Sequence, residues 1–113
     1  MANSFVNKKV DLTTTNATTV YTVPTATTAV IKSILISEDS GNADTITITI
    51  TDTASAVFSV FKTKAVGANA TVELLTEPLV LQESEILKVT AATANRLHII
   101  LSSLEIKPRE VIT

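Results

Sequence analysis

The amino-acid sequence predicts an all-β fold, a two-sheet β-sandwich of jelly-roll-like type with eight or nine short strands. Three observations predict it. Apolar and polar residues alternate with a period of two, most clearly in Asp44–Thr51, where Ile46, Ile48 and Ile50 share one face and threonines the other. Clusters of turn formers interrupt the chain at short intervals, and no stretch carries the 3.6-residue periodicity of an amphipathic helix. β-Branched Thr and Ile, abundant here, pack well on a pleated surface and lose rotamer freedom in a helix.

The strands follow in order. Residues 5–12 form the first and residues 18–23 the second, which stops at Pro24 because proline donates no ladder hydrogen bond. Residues 29–37 are apolar on both strand faces, the pattern of a strand covered on two sides, either centrally in the fold or by a neighbouring subunit. Residues 38–43 collect turn formers, with Gly41 or Asn42 suited to a positive φ. Residues 56–63 form a strand with Phe58 and Phe61 on opposite faces. Residues 71–75, 79–81, 86–91 and 96–106 complete the set. The Cys and Trp of immunoglobulin domains are absent, which favours the jelly roll.

At 113 residues the chain accommodates one domain. We place it at residues 5–106, flanked by an N-terminal arm (residues 1–4) and a C-terminal arm (residues 107–113). A domain of this size buries about two-thirds of its unfolded surface and needs no covalent staple. With no cysteine, disulfides and thiolate metal sites are excluded. The net charge of −2, with nine basic residues scattered along the chain, argues against a nucleic-acid partner. Neither a signal peptide nor a run of about 18 apolar residues for a membrane helix is visible, so the expectation is a protein made in the cytoplasm without a membrane partner.

The vocabulary of catalysis is thin. His98 is the single histidine, out of phase with Leu97, Ile99 and Leu101, and no motif supplies it with a nucleophile and an orienting partner; it reads as a strand residue facing solvent or a neighbour. Asp39, Asn42 and Asp44 offer oxygens in one loop, but their spacing is not that of a regular calcium loop, and turn formation accounts for them. Glu83 and Glu85 read as a solvated or edge-blunting pair. Two glycines are too few for a phosphate-cradling loop. The expectation is no enzyme, no cofactor, no metal and no catalytic residue.

Three stretches, taken together, resemble a family of small structural proteins of tailed-bacteriophage virions. They are Val20-Tyr-Thr-Val-Pro24 followed by a Thr-rich turn and the apolar strand to Ser37; Pro78-Leu-Val-Leu81 before a short acidic turn; and Leu87-Lys-Val-Thr-Ala91, with a last strand closing on Leu104-Glu-Ile106. The resemblance spans residues 5 to 106. It departs at Gln82-Glu-Ser-Glu85, where family members usually carry a glycine, which leaves the turn type open.

The resemblance implies a role in the virion. The first expectation is a capsid decoration (cement) protein, a homo-oligomer such as a trimer, docked on the major capsid protein. The alternative is a neck, collar, tail or fibre-attachment component. A carbohydrate-binding jelly roll for host recognition is a third reading, disfavoured by only four aromatic residues. Interface candidates are Phe5, Phe58 and Phe61 as aromatics, Val30, Ile34 and Ile36 on the two-sided strand, and Arg109 and Val111 in the C-terminal arm, which could add a strand to a neighbour's sheet.

Overall fold

The computed structural model describes residues 3–107, and these form nine strands with no helix. They are β1 (Asn3–Asp11), β2 (Thr18–Thr22), β3 (Thr28–Glu38), β4 (Asp44–Thr51), β5 (Val57–Val66), β6 (Thr71–Glu73), β7 (Leu79–Leu81), β8 (Ile86–Ala91) and β9 (Leu97–Ile106). One sheet has the order β1-β9-β3-β6, with β7 also paired to β3; the other has the order β2-β8-β4-β5.

This order is that of a long hairpin rolled up on itself. Folding the chain about the β4–β5 turn pairs β4 with β5, β3 with β6 and β7, β2 with β8 and β1 with β9. Rolling that ribbon then brings β9 beside β3 and β8 beside β4. The result is an antiparallel sandwich with jelly-roll connectivity, as the alternation predicts.

Between the sheets lies a core of Ile, Leu and Val. Ile46 and Ile48 of β4 with Leu87 and Val89 of β8 line one side; Ile31, Ile34 and Ile36 of β3 with Leu97, Ile99 and Leu101 of β9 line the other, all essentially inaccessible to water. Each of these side chains contributes roughly 1.5–3 kcal/mol by burial.

Two expectations about strand faces are corrected by the ladder. The two-sided character of residues 29–37 is a phase change within one strand. Between Ile31 and Ser33 the register against β9 shifts by one residue at Lys32. Ala29 and Ile31 therefore point inward before the bulge, and Ile34 and Ile36 after it. Ile34 and Ile36 are core residues rather than interface residues. In the same way β5 carries an extra residue at Val60: Phe61 opposes Ile48 and Phe58 opposes Ile50, so the two phenylalanines share the inner face instead of lying on opposite faces. Phe61 packs against the core, while Phe58, further along this edge strand, stays 56% exposed.

The strand ends differ modestly from expectation. Asn3 and Ser4, assigned to an arm, pair with Ile106 and Glu105 and begin β1. Arg109, Val111 and most of the C-terminal arm lie outside the described residues. In the β3–β4 loop Gly41 takes the positive φ (83°), and in the acidic turn Ser84 takes one of 68°, a conformation that glycine adopts without strain. Ser84→Gly is accordingly expected to raise the unfolding free energy by about 0.5–1 kcal/mol in urea denaturation, relief of left-handed strain outweighing the entropy glycine adds to the unfolded chain.

Candidate docking surface

Among the described residues the buried carboxylates are engaged structurally, whereas the hydroxyl of buried Ser103 has no hydrogen-bond partner. Glu38, the last residue of β3, is in phase with Ile34 and Ile36, and its carboxylate turns inward with 2% of the residue accessible. It accepts from the Ser40 hydroxyl and from the backbone amides of Ser40 (2.9 Å), Gly41 (3.1 Å), Asn42 (3.2 Å) and Asn69 (3.0 Å). Burial acts to raise its pKa. The Ser40 hydroxyl and then the amides of Asn69, Ser40 and Gly41 outweigh it, holding the carboxyl at about 2. Glu38 therefore ties the 38–43 loop to the turn at Asn69.

The other acidic groups of that loop face different partners. Asp44 is nearly buried and accepts from the Thr93 amide (3.0 Å), while Asp39 lies 3.6 Å from His98 Nδ1. No three His, Asp or Glu side chains converge as a metal site among the described residues.

His98 sits on the outer face of the larger sheet, with Nε2 3.1 Å from Asp11 Oδ1, between two carboxylates belonging to different segments. Glu73 caps the middle of β3: its carboxylate accepts from the Ser33 hydroxyl, the Ile34 amide (2.8 Å) and the Leu75 amide (3.2 Å). Burial raises its pKa and these donors, Ser33 foremost, lower it further, for a net downward shift.

Tyr21 enters the core because a bulge in β2 turns both Val20 and Tyr21 inward. Its hydroxyl donates to Glu105 Oε2 at 2.5 Å across the two sheets. Burial, then that hydrogen bond, pushes the phenol above its ordinary pKa of 10.0, so Tyr21 stays the donor of the pair. Lys107 Nζ stands 3.4 Å from the other Glu105 oxygen.

The widest apolar feature without a partner among the described residues lies on the outer face of the larger sheet. Register places Phe5 opposite Leu104, Leu104 opposite Val30, and Val30 opposite Val80. Directly opposed residues point to the same side, so these four side chains form a transverse stripe over β1, β9, β3 and β7. Phe5 is 79% exposed and Val80 52%. A parallel row further along the strands carries Lys9, Ile100 and Leu35 in register, with Ile100 37% exposed. Between the rows lie Asn7, Ser102 and Ser33.

Of the expected interface residues, the structure thus brings Phe5 and Val30 together, sends Ile34 and Ile36 to the core, and leaves Phe58 at the far edge of the other sheet beside Val57. Leu104, Val80, Ile100 and Leu35 were not singled out from sequence. Their grouping depends on strand register, and no single segment displays it.

No family model matches the chain, and no curated protein matches it. Among solved structures, it is similar to the one described as "Bacillus endospore appendages form a novel family of disulfide-linked pili". The TM-score is 0.54 at 13% sequence identity, over 96% of this chain and 93% of that one. At that identity the likeness concerns the fold: a β-sandwich of two antiparallel sheets, matched over nearly the whole length of both chains.

Proposed function

We propose that this chain is a non-enzymatic structural protein of a tailed-bacteriophage virion. In this reading it is a decoration protein that docks on the major capsid protein through the outer face of its larger sheet. The observation that carries the reading is the Phe5–Leu104–Val30–Val80 stripe, an apolar band left open on a sheet face that has no layer over it among the described residues. An open apolar band with polar surroundings has the composition of a docking face, with burial worth about 25 cal/mol per Å² before association costs. The resemblance of residues 20–37, 78–91 and 104–106 to virion proteins supplies the partner class. A neck, tail or fibre-attachment site in the same virion uses the same surface.

A second reading, the subunit of an extracellular filament, draws on the pilus protein of similar fold. The 113 residues hold no cysteine, so disulfide linkage between subunits would not be part of it.

Copy number in purified particles, read by quantitative mass spectrometry, tests the proposal. A number commensurate with the capsid lattice fits decoration, a number matching the neck or tail symmetry moves the protein there, and absence from the particle refutes a virion role. Val80→Asp and Ile100→Asp, at exposed positions on the two apolar rows, are expected to abolish binding to undecorated heads. Each should change monomer stability by less than about 1 kcal/mol, since the side chains are outside the core.

A further inference from the structure

Among the described residues the sandwich has four kinds of sheet edge, and three of them are obstructed. Strand β5 is interrupted by two register shifts, carries Lys62 and Lys64, and holds Thr63 at a φ of 48°. Strand β2 is five residues long and bulged. Strands β6 and β7 are three residues each. Such irregularity blocks edge-to-edge association.

Strand β1 has none of these devices except Lys8 and Lys9. Its nine residues pair with β9 in unbroken register, and among the described residues it ends its sheet. At its C-terminal side the Leu12 amide donates to the Leu97 carbonyl at 3.0 Å. Antiparallel alternation then turns the N–H and C=O groups of Asn3, Phe5, Asn7, Lys9 and Asp11 away from β9, toward the open edge.

We infer that the open edge of β1 is an interface for a second copy of this chain, the two β1 strands pairing antiparallel about a two-fold axis at Asn7. The inference rests on the reading of the chain as an assembly subunit. Centring on Asn7 sets the five residues with outward backbone groups opposite their counterparts, so that each pair exchanges two hydrogen bonds.

Side-chain chemistry agrees with that register. Asp11 of one copy meets Asn3 of the other, Lys9 meets Phe5 with its ammonium beside the ring, and Asn7 meets itself. On the opposite face Lys8 meets Val6. No like charges oppose one another despite the adjacent lysines. The apolar stripe ending at Phe5 runs on through Lys9 of the second copy to its Ile100 and Leu35, so the larger sheets of two copies become one continuous surface. The partner is therefore an identical chain related by two-fold symmetry, and the assembly unit is a dimer.

Sedimentation equilibrium of the full chain tests this together with two variants. The wild type is expected to be a dimer. Asn7→Pro removes an N–H from the outer edge without touching the β9 ladder, and is expected to raise the dissociation constant about tenfold or more, with circular dichroism unchanged. Asn7→Cys, in a chain otherwise free of cysteine, is expected to form a disulfide between copies under mild oxidation, far faster than Ser59→Cys on the β5 edge. A wild-type monomer or trimer, a dimer unaffected by Asn7→Pro, or equal cross-linking at the two cysteines overturns the inference. If Asn7→Pro does not fold, the cysteine pair decides. A dimer of a protein absent from particles would refute the virion reading alone, and a monomer that still binds heads would refute the dimer alone.

Discussion

Ile48→Asp is expected to give a chain with no cooperative unfolding transition. Ile48 is wholly buried on β4, flanked in register by Val89 on β8 and Phe61 on β5. Aspartate there removes a core side chain and leaves a carboxylate with no cation or hydrogen-bond donor placed to receive it. The lost packing alone costs about 2–5 kcal/mol, and the effective penalty for an unpaired buried charge is several kcal/mol more. Against a total stability of about 5–15 kcal/mol, the sum consumes the fold. Ile34→Asp is expected to behave the same way, because the bulge at Lys32 commits Ile34 to the core. Circular dichroism melts check this, with Ile48→Val as the control that keeps its transition at a cost of about 0.5–1.5 kcal/mol. A variant aspartate protein with a normal melt would mean that these strands are not packed as described.

The second large effect belongs to Glu38. Replacing it with alanine strands the amides of Ser40, Gly41, Asn42 and Asn69 in a loop shaped around its carboxylate. Glu38→Ala is therefore expected to lower the thermal midpoint more than alanine at any other acidic residue, with Asp39→Ala, on the exposed side of the same loop, close to neutral. Acid reports the same interaction. The folded state holds the Glu38 pKa at about 2, below the ordinary value of 4.5. Its stabilisation is thus complete above the ordinary value, declines as pH falls through that interval, and is gone below about 2. The wild type should lose midpoint across that range, and Glu38→Gln should flatten the loss. A wild-type midpoint independent of pH there would refute the assignment.

The fold was legible because it depends on a local property. Each strand advertises itself by alternation, so the boundaries of β4, β7 and β8 coincide with the sequence reading. Faces were less legible than strands. Alternation reports a face only while the period holds, and one extra residue at Lys32 or Val60 inverts it, which made β3 look two-sided and separated Phe58 from Phe61. Asn3 and Ser4 have no apolar signature and enter β1 because β9 offers a ladder to them. Glu38 was read with its turn-forming neighbours, although its phase with Ile34 and Ile36 already aimed it inward. The docking stripe was the least legible feature. Phe5, Val30, Val80 and Leu104 are far apart in the chain, and only the pairing of four strands sets them in a line.

Strand β9 lies between β1 and β3, and that position governs the order of events during synthesis. Until β9 has been synthesised, β1 has no ladder partner among the described strands and β3 lacks its longest one. The larger sheet therefore cannot close before residues 97–106 have emerged, and pairings between such distant segments are slow to find. A product cut short before Leu97 would leave β1 without a ladder and β3 held only by the short β6 and β7, exposing apolar strand edges for chaperones or proteases to clear.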